Sequence, residues 1–404
     1  RFQASPGHGI PDNGVPTYFP TNDVPQYRPQ MGTLWLSTTG LLSNVLNGWR
    51  FKDVRVTIPG FTTWSVNSLT ISNCSLALGE RSGLALTVSG NLRVDTGGAL
   101  ALGFEGQATN VSLNVGGNLA LTNGGSLSVY SGPTNTLAPD YGALVTVTGD
   151  ILTGSGSWVY PYAHFTNGGA ALFRTRNLIA LTNSGFRAFG RGYLGSFGPG
   201  KGGDTTWRGG GGGHGGKGGK GDGPSGGNPY GSSNAPVREG GGGGGSGGES
   251  YASYRHIGMG GGVIRIEASG TINLKGTLNA GGGTSPSYYF GGGAGGSILI
   301  LCGTLTGPTY GRIWAKGGIG GGLGGGGGGG RIAVWLRTSR TALDNYVATG
   351  QANLTTYSQL TDFSGTVSVT NGTGMVNPPS ADAAASGTIR SAMISIPGTI
   401  FMML

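Results

Sequence analysis

The chain has 404 residues, of which 90 are glycine and only 10% are charged. Its 25 Lys and Arg against 16 Asp and Glu leave a formal charge of +9, which suits either a solvated basic surface or an anionic partner such as an acidic polysaccharide or a cell surface. Collagen is excluded, because the 19 prolines stand mostly outside the glycine runs, and no apolar stretch approaches the ~20 residues of a membrane span.

Residues 1–32 are punctuated by Pro6, Pro11, Pro16, Pro20, Pro25 and Pro29. Proline fixes φ and removes ladder donors, so this segment predicts an extended N-terminal arm rather than a domain. Arg1 at the start is consistent with a processed end.

Residues 33–194 hold a first repeat set. Thr87 to Val94 (TVSGNLRV) recurs 27 positions on as Asn114 to Leu121 (NVGGNLAL), and Gly97 to Leu102 recurs as Gly124 to Val129. Each repeat offers two or three short alternating strands separated by Gly, Asn and Ser turns. A unit this short leaves no room for a βαβ crossover. The predicted fold is therefore all-β, a parallel β-solenoid in which equivalent apolar residues stack rung upon rung.

Residues 195–262 form a glycine-rich insertion with 31 glycines in 68 positions. His214, Lys217 and Lys220 are spaced by glycine pairs. A period of three belongs to the threefold extended helix, which predicts polyglycine II-like loops packed on the solenoid with those three residues on one face. Residues 263–340 form a second solenoid set with shorter glycine loops. Ile264, Ile298 and Ile332 stand 34 residues apart, each inside the same strand phrase. They predict one buried ladder, as do Leu92 and Leu119. Residues 341–404 read as terminal strands and an apolar C-terminal tail ending Phe401-Met402-Met403-Leu404.

These phrases, Gly293 to Ile300 and Gly325 to Val334 in particular, resemble the glycine-rich repetitive secreted proteins of environmental bacteria. The resemblance covers roughly residues 65–335 and implies a secreted β-solenoid, extracellular or at a cell surface, in a group whose functions are mostly unassigned. The glycine tracts also resemble the polyglycine bundles of phage tail-fibre adhesins in packing style.

Little in the chain points to chemistry. The four histidines, His8, His164, His214 and His256, lack metal-ligand spacing. Cys74 and Cys302 match no redox or zinc motif and are either buried thiols or one long-range disulfide. No nucleophile elbow or P-loop occurs. The carboxylates Asp53, Glu80, Asp95, Glu105, Asp140 and Asp150 are scattered, with no stacked acidic pair of the kind a solenoid glycosidase or lyase needs. No cofactor or metal is implied, and no basic run or recognition helix suggests nucleic acid.

The leading expectation is a non-enzymatic structural subunit that self-assembles into an extracellular filament or surface layer through its termini. The candidate interface is Pro6, Pro11, Pro16 and Pro20 at one end and Ile396, Ile400, Phe401, Met402, Met403 and Leu404 at the other. The alternative is an adhesin that binds polysaccharide or a cell surface through Trp207, Tyr230, Tyr251, Tyr254, Tyr288 and Tyr289, aromatics gathered near the glycine tracts. A solenoid carbohydrate-active enzyme comes third.

Overall fold

A computed structural model describes residues 2–3, 32–48, 50–79, 83–104, 111–134, 140–205, 208–243, 258–285, 288–350, 353–356, 360–374 and 383–395. Three long sheets of eight, ten and ten strands wind together into one parallel β-solenoid. One rung shows the plan. Leu92–Asp95 lies in the first sheet, Ala99–Leu102 in the second and Val111–Val115 in the third. Each strand pairs in parallel with its counterpart one rung away, and residue alternation sends every second side chain inward.

The register stacks like on like. Leu69, Leu92, Leu119, Ile151, Leu178, Ile272 and Leu305 follow one another up the first sheet. Ile264, Ile298 and Ile332 form the ladder expected in the third, and all three are fully buried. Burying a side chain of this kind contributes roughly 1.5–3 kcal/mol, so the core stabilises the chain rung by rung. Both cysteines are free thiols inside this core, and burial pushes Cys302 up to about 12.

The three corners have different chemistry. Between the first and second sheets the chain turns on a residue of left-handed φ, Asn73, Thr96, Asn123, Gly156 and Asn183 in successive copies. Asparagine tolerates that conformation, which explains its recurrence there. Between the third and first sheets runs a side-chain ladder. Asn91 Oδ1 accepts from the Asn118 amide, Asn118 Oδ1 from the Asp150 amide and Asn177 Oδ1 from the Thr271 amide, each at 2.8 Å. These bonds satisfy backbone donors that the turn would otherwise leave unpaired.

The described glycine tracts occupy the remaining corner, between the second and third sheets. They pack into a bundle whose bonding follows the threefold helix. Gly211, Gly212 and Gly213 donate in turn to Gly219 O (2.8 Å), Gly292 O (2.9 Å) and Gly200 O (2.7 Å), three different neighbouring segments. Gly325 and Gly328, three residues apart, donate to Gly209 and Gly212, also three apart. Side chains are excluded: a Cβ on Gly211 would lie 1.9 Å from Gly326 O, and one on Gly260 would lie 1.6 Å from Gly240 O.

Two expectations need correction. Lys217 and Lys220 are exposed as the period of three requires, but His214 is fully buried. Its ring packs against Tyr230, with centroids 4.9 Å apart, and Nδ1 is bonded to Gly295 O at 2.9 Å. Neighbouring tracts cover the turn on which it lies, so the threefold repeat alone does not decide what faces water. The segment beyond residue 340 does not open on a strand. Arg340–Thr349 is an α-helix, capped by the Ser339 side chain accepting from Ala342 N and ended by Gly350 at φ +67. With Leu343 and Tyr346 it covers the outer face of the third sheet, where Leu299, Leu301, Ala333 and Trp335 form a second core. Strands Ser297–Cys302 and Arg331–Leu336 are thus buried on both faces, as their near-continuous apolar runs require.

Candidate functional site

The expected interface residues Pro6, Pro11, Pro16, Pro20, Ile396, Ile400, Phe401, Met402, Met403 and Leu404 lie outside the described residues. The solenoid ends beside them are described, and they differ from each other. At the first rung, Gly32–Trp35, Val45–Asn47 and Thr63–Val66 are the edge strands of the three sheets. Among the described residues each pairs on one side only. Trp35 is 65% exposed and Val45 44% exposed on the outside of this rung. Beneath them Leu34, Leu36, Leu41 and Leu42 are half-buried against the core.

At the last rung the third sheet is closed, while Thr304–Thr306 and Thr366–Ser368 are the edge strands of the first and second sheets. Strand Asn353–Thr356 runs antiparallel along Thr388–Ser395, with Leu354 opposite Ile394, and so terminates the parallel order of the third sheet. The Phe363 ring is 5% exposed and sits over Gly307, Gly311 and Gly365, where any Cβ would collide with it. Leu360 and Val369 pack beside it against the core.

The aromatic residues separate into two environments. Tyr288 and Tyr289 stand at the apex of the glycine bundle, 59% and 44% exposed, edge to face with centroids 5.3 Å apart. Three tracts hold them there: Gly209 N donates to Tyr289 O, Leu323 N to Tyr288 O and Ser285 N to Ile319 O. Ile319 is also half exposed at this apex, and an Arg208–Asp222 ion pair flanks it. Tyr230 is not presented in this way. Its hydroxyl donates inward to Glu239 O, and burial pushes that hydroxyl well above the ordinary tyrosine range. Trp207, Tyr251 and Tyr254 lie outside the described residues.

Tyr230 belongs instead to a polar node that sequence inspection missed. Glu239 is fully buried, with Oε1 accepting from the Gly169 amide at 2.7 Å. Desolvation pushes its carboxyl up, and burial holds His214 down at about 4. Arg331 ties the node together through the carbonyls of Tyr230 and His214. A lone Glu239 among loop residues carries no sequence signal of burial. The node is internal and its side chains bond to backbone groups of several tracts, so its role is to hold the tracts in place.

Most described carboxylates are likewise engaged. Asp95 accepts from Thr122, Asn123 and Arg93, and these bonds outweigh desolvation and hold it at about 2. Asp150 pairs with Arg176, and Asp140 with Arg265 and Arg340. Among the described residues no three His, Cys, Asp or Glu converge as a metal site would need, and no helix is long and apolar enough to cross a membrane. Comparison with protein-family models, curated proteins and solved structures finds no match for this chain.

Proposed function

We propose that the chain is a structural subunit, without catalysis of its own, that joins other copies end to end in an extracellular filament or surface layer. The contrast between the two solenoid ends supports this reading. A parallel sheet left with a bare edge invites pairing with another chain, and proteins that stay single cover such edges. Here the third sheet ends on an antiparallel strand beside an aromatic plug, whereas at the other end, among the described residues, all three edge strands pair on one side only and Trp35 is 65% exposed. Joining unlike ends is a heterologous contact, which builds open filaments rather than closed rings. The apolar segment Ile396–Leu404 of a neighbouring copy would supply the incoming strand, by main-chain bonds to the Gly32–Trp35 edge.

Negative-stain microscopy and sedimentation of the full chain test this. Wild type should form filaments. Trp35→Lys and removal of residues 396–404 should each give monomers with unchanged β-type circular dichroism. Filaments that persist in both variants, or a wild-type chain that stays monomeric at high concentration, would sink the proposal. In the latter case the bundle apex supports a second reading, an adhesin whose Tyr288 and Tyr289 stack on sugar rings. Tyr288→Ala with Tyr289→Ala should then abolish glycan binding without affecting folding.

A further inference from the structure

Beside the asparagine ladder, on the outer side of the corner between the third and first sheets, lies an open groove of about 650 Å³. Five successive rungs build it, contributing residues 147–148, 174–176, 267–269, 301–303 and 337–340. At about 4.8 Å per rung it runs roughly 19 Å along the solenoid axis. Its walls carry four guanidinium groups, Arg174, Arg176, Arg337 and Arg340, against the single carboxylate of Glu267.

The carboxylates around these arginines position them while leaving donors over. Arg174 Nε meets Glu267 at 2.8 Å, and Arg176 pairs with Asp150 through Nε at 2.9 Å and Nη2 at 3.1 Å, which leaves Nη1 over. Their side chains remain 44% and 60% exposed. Arg340 is held by Asp140 at 2.9 Å and Asp344 at 2.8 Å, and its Nη1 is buried 3.8 Å from Glu267, so it adds positive charge to the wall rather than a free donor. Arg337 differs from the rest. It is exposed, makes no ion pair among the described residues, and adopts φ +52. That conformation is uncommon for a residue with a long side chain and costs free energy, and such strain clusters at ligand sites.

We propose that this groove binds a linear polyanionic glycan, with its carboxylate or sulfate groups held by Arg176 and Arg337. The cations sit at opposite ends, about three rungs or 14 Å apart, which suits a chain of repeated charges better than one small anion. Guanidinium donors match carboxylate and sulfate oxygens in pairs. No aromatic side chain lines the groove, so a single-stranded nucleic acid would lack the stacking platforms on which its binding depends. The proposal requires neither assembly nor the bundle apex.

Calorimetry with the full chain at low salt tests it, using polygalacturonate, dextran sulfate, uncharged dextran and a single-stranded oligodeoxynucleotide. At least one of the two polyanionic glycans should bind and dextran should not; which one binds tells carboxylate from sulfate recognition. Arg337→Gly suits the left-handed backbone, so it should leave Tm unlowered while weakening binding about tenfold or more, the loss of roughly one charged hydrogen bond. Adding Arg176→Gln should weaken it further. Lys217→Ala with Lys220→Ala, which removes two exposed cations of the bundle, should change nothing. The site is refuted if neither polyanion binds, if the lysine variant loses as much affinity as Arg337→Gly, or if the oligonucleotide binds more tightly than both glycans.

Discussion

Replacing Gly211 by alanine tests whether the glycine tracts form a packed lattice. The new Cβ would stand 1.9 Å from Gly326 O and 2.4 Å from its carbonyl carbon. Ordinary contact between carbon and oxygen is about 3.3 Å, so the two tracts must part by about 1.4 Å. Both are backbone, and neither has a flexible end that can swing aside. The Gly325 N to Gly209 O bond of 3.0 Å and the Gly328 N to Gly212 O bond of 2.8 Å cross this interface. Stretched by that amount, neither remains a hydrogen bond. Two buried donors left unpaired cost about 1–3 kcal/mol each, and the lower entropy of the unfolded alanine chain adds slightly to the favourable side, giving a net loss of roughly 1–5 kcal/mol. Native-state hydrogen exchange should show protection falling at Gly325 and Gly328, and thermal melting should shift downward. Gly40→Ala, where the Cβ would meet only Thr38 Oγ1 at 3.5 Å, serves as control. If Gly211→Ala keeps its exchange protection and melts like the control, the tracts are not packed in this way.

Two other outcomes follow from the core and the buried node. Ile298→Ala removes a fully buried side chain between Ile264 and Ile332 and should cost about 2–5 kcal/mol in denaturant unfolding, whereas Ile319→Ala, half exposed at the apex, should stay within about 0.5 kcal/mol of wild type; equal effects would contradict the ladder. His214 has its folded pKa lowered to about 4 from 6.5, so the unfolded chain binds the extra proton between those values. Its contribution is complete above pH 6.5 and is lost as pH falls toward 4, by about 3 kcal/mol in all. Glu239, whose carboxyl is pushed up, acts in the opposite sense, so the His214 share is read as the difference between wild type and His214→Gln in urea unfolding at pH 7 and pH 4.5. Parallel pH dependence in the two proteins would show that His214 titrates normally.

The solenoid and its ladders were legible in the sequence because strand alternation and a repeat period are local properties. Ile264, Ile298 and Ile332 announce their stacking through equal spacing, and glycine pairs around Lys217 announce a threefold helix. What surrounds an element is not local. His214 carries the same spacing as Lys217 yet is buried, because distant tracts close over it. Arg340–Thr349 is a short helix with one buried side chain, Leu343, and its weak apolar pattern says nothing of the sheet face it covers. The arginine groove gathers residues 174–176 and 337–340 from either side of the 195–262 insertion. Parallel pairing brings successive rungs within about 4.8 Å whatever the length of chain between them. Composition and spacing therefore determine the rung, while the neighbours of each rung, and with them every candidate site, exist only once backbone hydrogen bonds have set the register of the stack.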